Sequence, residues 1–325
     1  MFPLTLWLAV YGATLAVVAS LATSQVGALP LHGPLFATTS VLIALLFLVR
    51  GGLWFWRVRP ESPIGAARDH AATWAPWILL RFALFQSSTL FFIWLAPIKS
   101  AIPDAAGYWA DAPLITIERA VFGTDPWRLL HALPDWITPT IDLIYASWIV
   151  VIVGVSMAVA VFGSAALVGR YFLSWAMAWV VLGIGIAYAL PSAGPIFGPH
   201  LGFGFDDLHH ALKGTVAYRF HEMLWAMQTA RSGDLGGGIS AMPSMHCALT
   251  SVFVAAAWKT RWRYLVMAYA AAIWFGSVYL GWHYALDGVV SALVVAMLWR
   301  VAQRLADARW PRLSPIRRRA VSAQA

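Results

Sequence analysis

Charged residues are scarce in this sequence: Asp, Glu, Lys and Arg make up 11% of 325 residues, against 61% hydrophobic. A soluble chain carries roughly a quarter charged residues, so this one cannot coat a water-facing surface and a soluble globular domain is excluded. Cysteine is nearly absent. The single Cys247 excludes an internal disulfide and any multi-cysteine zinc or iron–sulfur site. No run alternates apolar and polar residues as a membrane barrel requires. Internal repeats are lacking too, which leaves an inverted-repeat transporter without support.

What the chain has in quantity is apolar runs and tryptophan. Nineteen indoles suit the boundary between lipid headgroups and hydrocarbon. Apolar stretches at about 4–22, 34–49, 73–97, 137–162, 171–190, 245–258, 264–281 and 284–301 predict about eight spans in an all-α, polytopic membrane helical bundle. The stretch 245–258 is the shortest. The first stretch has neither a charged leading region nor a small-residue cleavage site, and reads as a retained span.

A cytoplasmic N-terminus places Arg50, Arg57, Arg59, Arg68, Arg170, Lys259, Arg261, Arg263 and the basic C-terminal residues inside, the majority of the 22 Lys and Arg residues. That is the bias expected of cytoplasmic loops. Both termini are therefore expected inside, in a bacterial inner membrane. The net charge of +8 belongs to topology and not to nucleic acid. The tail 306–325 is basic and suited to anionic lipid. Two long outer segments remain, 98–136 and 191–241, the second opening with PSAGPIFGP and closing with glycines 236–238.

Two segments carry chemistry. In GGGISAMPSMHCALTSVF, glycines lead through Pro243 into an apolar helical run, with the helix expected to start near Pro243. The backbone N–H groups of Ser244, Met245 and His246 would then lack helical partners and favour a bound phosphate. Gly238 and its neighbours allow close backbone approach, and His246 lies in the first turn. In GSVYLGWHYALDGVV, His283 and Asp287 stand four apart, the spacing of one helical face. A carboxylate there can hold the proton on one ring nitrogen and free the other to attack. Both segments begin on the outer side.

The segments AMPSMHCAL and GWHYALD resemble the second and third motifs of the type 2 phosphatidic acid phosphatase superfamily. Pro243, Ser244 and His246 match the Pro-Ser-Gly-His pattern, with Met245 in place of its glycine. His283 and Asp287 match the third motif, but its Ser-Arg pair is Gly276-Ser277, and the lysine/Arg-Pro first motif is absent. With PSAGP, these departures resemble the inositol phosphorylceramide synthase (aureobasidin-resistance) branch.

The resemblance implies a six-span core over 73–305, with 1–72 as two additional spans and a loop. It implies a lipid phosphotransferase or phosphatase at the outer face. His283 would be the nucleophile, Asp287 its orienting partner and His246 the acid, acting through a phosphohistidine without metal or other cofactor. Its partners would be a membrane lipid substrate and the bilayer. With the family's cations missing, Arg231, Arg219 and Lys213 are the outer-side candidates for binding phosphate, beside Ser244 and Gly238; each cation also reads as a solvated loop residue. The alternative is a lipid or solute transporter or scramblase of the same fold without catalysis. An intramembrane serine protease using Ser244 and His283 would want a small-residue surround that Met242, Pro243 and Met245 do not provide.

Other polar groups invite readings of their own. Asp206, Asp207, His209 and His210 could bind a metal but are expected to be hydrated. His221-Glu222 opens like a zinc-protease HExxH helix, but Trp225 occupies the second histidine position. Arg81 reads as a structural, snorkelling cation. Asp142 is placed either to pair with Arg231 or to line the site.

Overall fold

In hydrocarbon a backbone must satisfy its own N–H and C=O groups, so long apolar runs close into helices. The computed structural model describes residues 4–27, 29, 32–230 and 237–307. Among these there is no strand, and the chain is an all-α bundle. The first long helices are α1 (Leu4–Val26), α2 (Gly33–Val58) and α3 (Pro63–Ser100). The last, 38 residues, is about 57 Å long and overshoots a hydrocarbon core of about 30 Å.

The segment 98–136, predicted to lie outside, folds into α4 (Ile102–Ala106), α5 (Asp111–Phe122) and α6 (Pro126–Leu130). The expected span 137–162 is a bent pair, α7 (Ile137–Ala146) and α8 (Trp148–Phe162), meeting at 42°. Next come α9 (Ala165–Ala178), a π-helical stretch Trp179–Ile186 and α10 (Ala187–Ala189), together one span. The other segment predicted to lie outside, 191–241, holds a 3-10 turn Pro195–Phe197, α11 (Gly198–Leu201), α12 (Asp206–Ala211) and α13 (Val216–Thr229). The chain closes with α14 (Met245–Ala257), α15 (Arg263–Tyr279) and α16 (Ala285–Asp307).

Five helices are long and apolar enough to cross a membrane, six with the bent pair. α14 and α15, at 13 and 17 residues, are shorter than the roughly 20 a full span takes. All eight predicted stretches are nevertheless helical. Apolar side chains point outward along them, Leu48 being 70% and Val150 71% exposed, a surface suited to lipid.

α9, α14, α15 and α16 pack together, with α3 against α8 and α9. The first two helices are docked on this core. α1 packs on α3 and α9, Trp7 donating its indole N–H to Gly169 O at 3.1 Å and Tyr11 meeting Ser87 Oγ at 2.5 Å. Arg81 is buried and donates to Ala160 O at 3.0 Å. A cation among the last carbonyls of α8 suits the negative helix end, the structural use anticipated for it.

Candidate active site

The C-terminal end of α3, the start of α8, the start of α14 and the turn before α16 converge on one cavity of about 160 Å³. His246, His283 and Lys99 line it with Gly237, Gly238 and Ser240; Trp148, Trp179, Trp282, Phe92 and Phe197 supply apolar walls.

Helix α14 starts two residues later than expected. Ser244, in extended backbone conformation, is its N-cap and accepts the Cys247 N–H at 3.3 Å. A serine oxygen that satisfies an orphan donor decides the boundary over the preceding proline. The Met245 and His246 N–H groups stay without intrahelical partners. Ser244 is buried and does not line the cavity. The His246 ring is held by Tyr145, stacked at 4.6 Å, and by Trp148 at 4.3 Å.

His283 and Asp287 do not share a helical face, because α16 begins at Ala285. Asp287 is in the first turn and its Oδ2 accepts the Tyr284 N–H at 3.0 Å, the reach-back half of a capping box. The same oxygen stands 3.4 Å from His283 Nδ1. The shorter partner of Nδ1 is Ala241 O at 2.8 Å. A carbonyl only accepts, so Nδ1 carries the proton and Nε2 presents a lone pair. That nitrogen faces His246 Nδ1 at 3.3 Å.

Four residues hold this arrangement from a distance. Ser192, in PSAGP, accepts the Met242 N–H on its hydroxyl and the Ala241 N–H on its carbonyl. Gly194 has φ +95, and a Cβ there would overlap Trp282 O beside His283. Asp111, fully buried, accepts from Ala193 N at 2.8 Å, Gly194 N at 2.9 Å and Tyr284 Oη at 2.7 Å. Glu118 accepts the Leu286 N–H at 3.0 Å. Burial is the largest influence on both carboxyls, raising Asp111 above the usual range and Glu118 to about 7.

The cation at the cavity is Lys99, which sequence reasoning did not select. No carboxylate pairs with it among the described residues. Gly238, with φ +88, presses against it: a Cβ at 238 would overlap the Lys99 backbone and side chain. No local motif in the sequence marks this lysine, which simply closes an apolar run. Lys213 and Arg219 are exposed and do not line the cavity, and Arg231 lies outside the described residues. Asp142 is committed elsewhere, accepting the Val216 and Ala217 N–H groups at 2.6 and 2.9 Å. Asp207 pairs with Arg128 at 2.8 Å, and Asp206 and His210 are exposed.

The profile of a family described as the PAP2 superfamily matches residues 113–301. No curated protein and no solved structure matches the chain.

Proposed function

The chain belongs to the PAP2 superfamily, and from that premise and the cavity we propose that it transfers a phosphoryl group from a membrane lipid phosphate ester through a phosphohistidine on His283. Membership supports a phosphatase or phosphotransferase in general. The observation that carries the finer reading is the meeting of His283 Nε2 and His246 Nδ1 at 3.3 Å in a cavity that also holds Lys99.

A phosphate entering between the rings meets the Nε2 lone pair. The P–N bond forms as the bond to the leaving oxygen breaks, and His246 gives that oxygen its proton. Water or an acceptor hydroxyl then attacks phosphorus, returns a proton to His246 and breaks the P–N bond. Lys99 and the free N–H groups at the start of α14 hold the equatorial oxygens as charge spreads over them. Asp287 and Ala241 O keep the His283 ring oriented, a positioning role.

The lipid class is supported by the walls and the depth. α14 is about 20 Å long, short of a hydrocarbon core of about 30 Å, which favours a recess below the membrane surface. Tryptophan and phenylalanine around it suit the chains next to a headgroup. The inositol phosphorylceramide synthase type of headgroup transfer is the case in which an alcohol, and not water, reaches the phosphohistidine. The charge bias supports an outer-side site.

Purified protein in detergent, assayed for phosphate release and headgroup transfer on a panel of lipid phosphates, tests this. The parent is expected to turn over and to form an acid-labile phosphoenzyme, and His283→Ala to do neither. Equal behaviour of the two proteins on every substrate would sink the catalytic reading and bring the transporter or scramblase forward.

A further inference from the structure

The segment between α10 and α14 is built of helices too short to hold themselves together. An isolated helix below about 12–15 residues is marginal, and α11 and α12 have four and six. Three histidines and a glutamate meet where these helices join. His200 comes from α11, His209 from α12, and His221 and Glu222 from α13. One donor atom from each lies within 4.8 Å of all the others.

The chemistry of this cluster is unsatisfied without a further partner. His221 is fully buried, yet neither of its ring nitrogens has a hydrogen bond, and His209 Nε2 has none either. Glu222 Oε1 stands 3.3 Å from His221 Nδ1 and 3.6 Å from His209 Nε2, too poorly aligned or too distant to serve as a hydrogen-bond acceptor. Buried polar atoms are almost always paired, so an open nitrogen on each of two rings beside one carboxylate asks for a common ligand. A protein donor would satisfy one of them. A cation takes one nitrogen from each ring, and the second His221 nitrogen carries the proton.

We propose that His200, His209, His221 and Glu222 bind one zinc ion that staples α11, α12 and α13 together. Tetrahedral zinc bonds of about 2.0–2.1 Å put donors about 3.4 Å apart. Two of the pairs already stand near that separation, and the 4.8 Å limit asks only for side-chain adjustment. Imidazole with one carboxylate suits zinc better than calcium or magnesium, which take oxygen. Four protein donors leave no open position, the form of a structural site.

Trp225, which spoils the protease motif, stacks on His200 at 4.4 Å and 11° and so holds a ligand ring in place. Phe197 touches His221 at 4.7 Å between ring centres and also walls the active-site cavity. The metal would therefore fix that wall without touching the reacting phosphate.

The test uses full-length, tag-free protein in detergent, stripped with a chelator and titrated with zinc chloride. Bound metal is counted and thermal unfolding followed. One zinc per chain and a rise in Tm of about 3 °C or more are expected. The double variant His200→Ala/His209→Ala should lose both responses, and the exposed neighbour His210→Ala should keep both. If the double variant does not fold, the half-exposed Glu222→Gln serves instead, with zinc affinity expected to fall about tenfold or more. The proposal is overturned if the stripped parent takes up no zinc, or if the ligand variants bind it as tightly as the parent. Zinc counting reads nothing of phosphoryl transfer, so failure of either proposal leaves the other standing.

Discussion

In the proposed reaction Lys99 is the residue on which the chemistry most depends after the two histidines. An ammonium in an apolar recess with no carboxylate beside it among the described residues is unfavourable unless an anion arrives. Lys99→Met is therefore expected to lower kcat/KM by about 10²–10³ while leaving Tm equal or higher. Lys99→Arg should retain part of the activity, since the charge stays and the geometry changes. Steady-state kinetics with unfolding curves for both variants check this. Unchanged kcat/KM in Lys99→Met would leave the backbone N–H groups as the only phosphate cradle. The histidines were legible in the sequence because each stands in a local motif. Lys99 was not, because nothing local marks a lone lysine at a helix end, and nearly half the chain separates it from His246. The loop cations Lys213 and Arg219 were nearer in sequence but exposed in space.

At the scale of elements, the turn before α16 is held by carboxylates whose protonation matters. Glu118 caps α16 from α5 through the Leu286 N–H and has its pKa raised from 4.5 to about 7, chiefly by burial. Below pH 4.5 the group is protonated whether the chain is folded or not. Between about 4.5 and 7 the unfolded chain gives up the proton while the folded one keeps it, so stability falls as pH rises through this window and then levels. Glu118→Gln removes that contribution. The stability of the variant relative to the parent, followed through Tm, should climb from about pH 4.5 to 7 and stay flat above, a change on the order of 3 kcal/mol. A parallel pair of Tm profiles would show that Glu118 is ionised in the folded protein throughout. The helices themselves were readable from apolar runs. The boundaries at α14 and α16 were not, because Ser244 and the Tyr284–Asp287 pair act as caps in ways that helical spacing alone does not distinguish. Nor could PSAGP be seen to join Asp111 to the His283 turn, since the Tyr284–Asp111 hydrogen bond that completes this link spans 173 positions.

At the scale of the whole molecule, the charge bias predicts which side the cavity faces. The cavity opens among the ends of α3, α8, α14 and α16, whereas Arg50 and Arg81 bind carbonyls at the far end of α8. The basic loops predicted to lie inside are at that far end, and so the cavity should face out. Cysteine labelling decides it, because the one native thiol, Cys247, is buried and gives a silent background. Trp136, 64% exposed, marks the cavity end and Trp262, 54% exposed, the other. In spheroplasts a membrane-impermeant maleimide should label Trp136→Cys at once and Trp262→Cys only after the membrane is broken. The opposite pattern would turn the site toward the cytoplasm and confine its substrates to lipids of the inner leaflet. The expected pattern would make the outer-leaflet headgroup the one that His283 reaches.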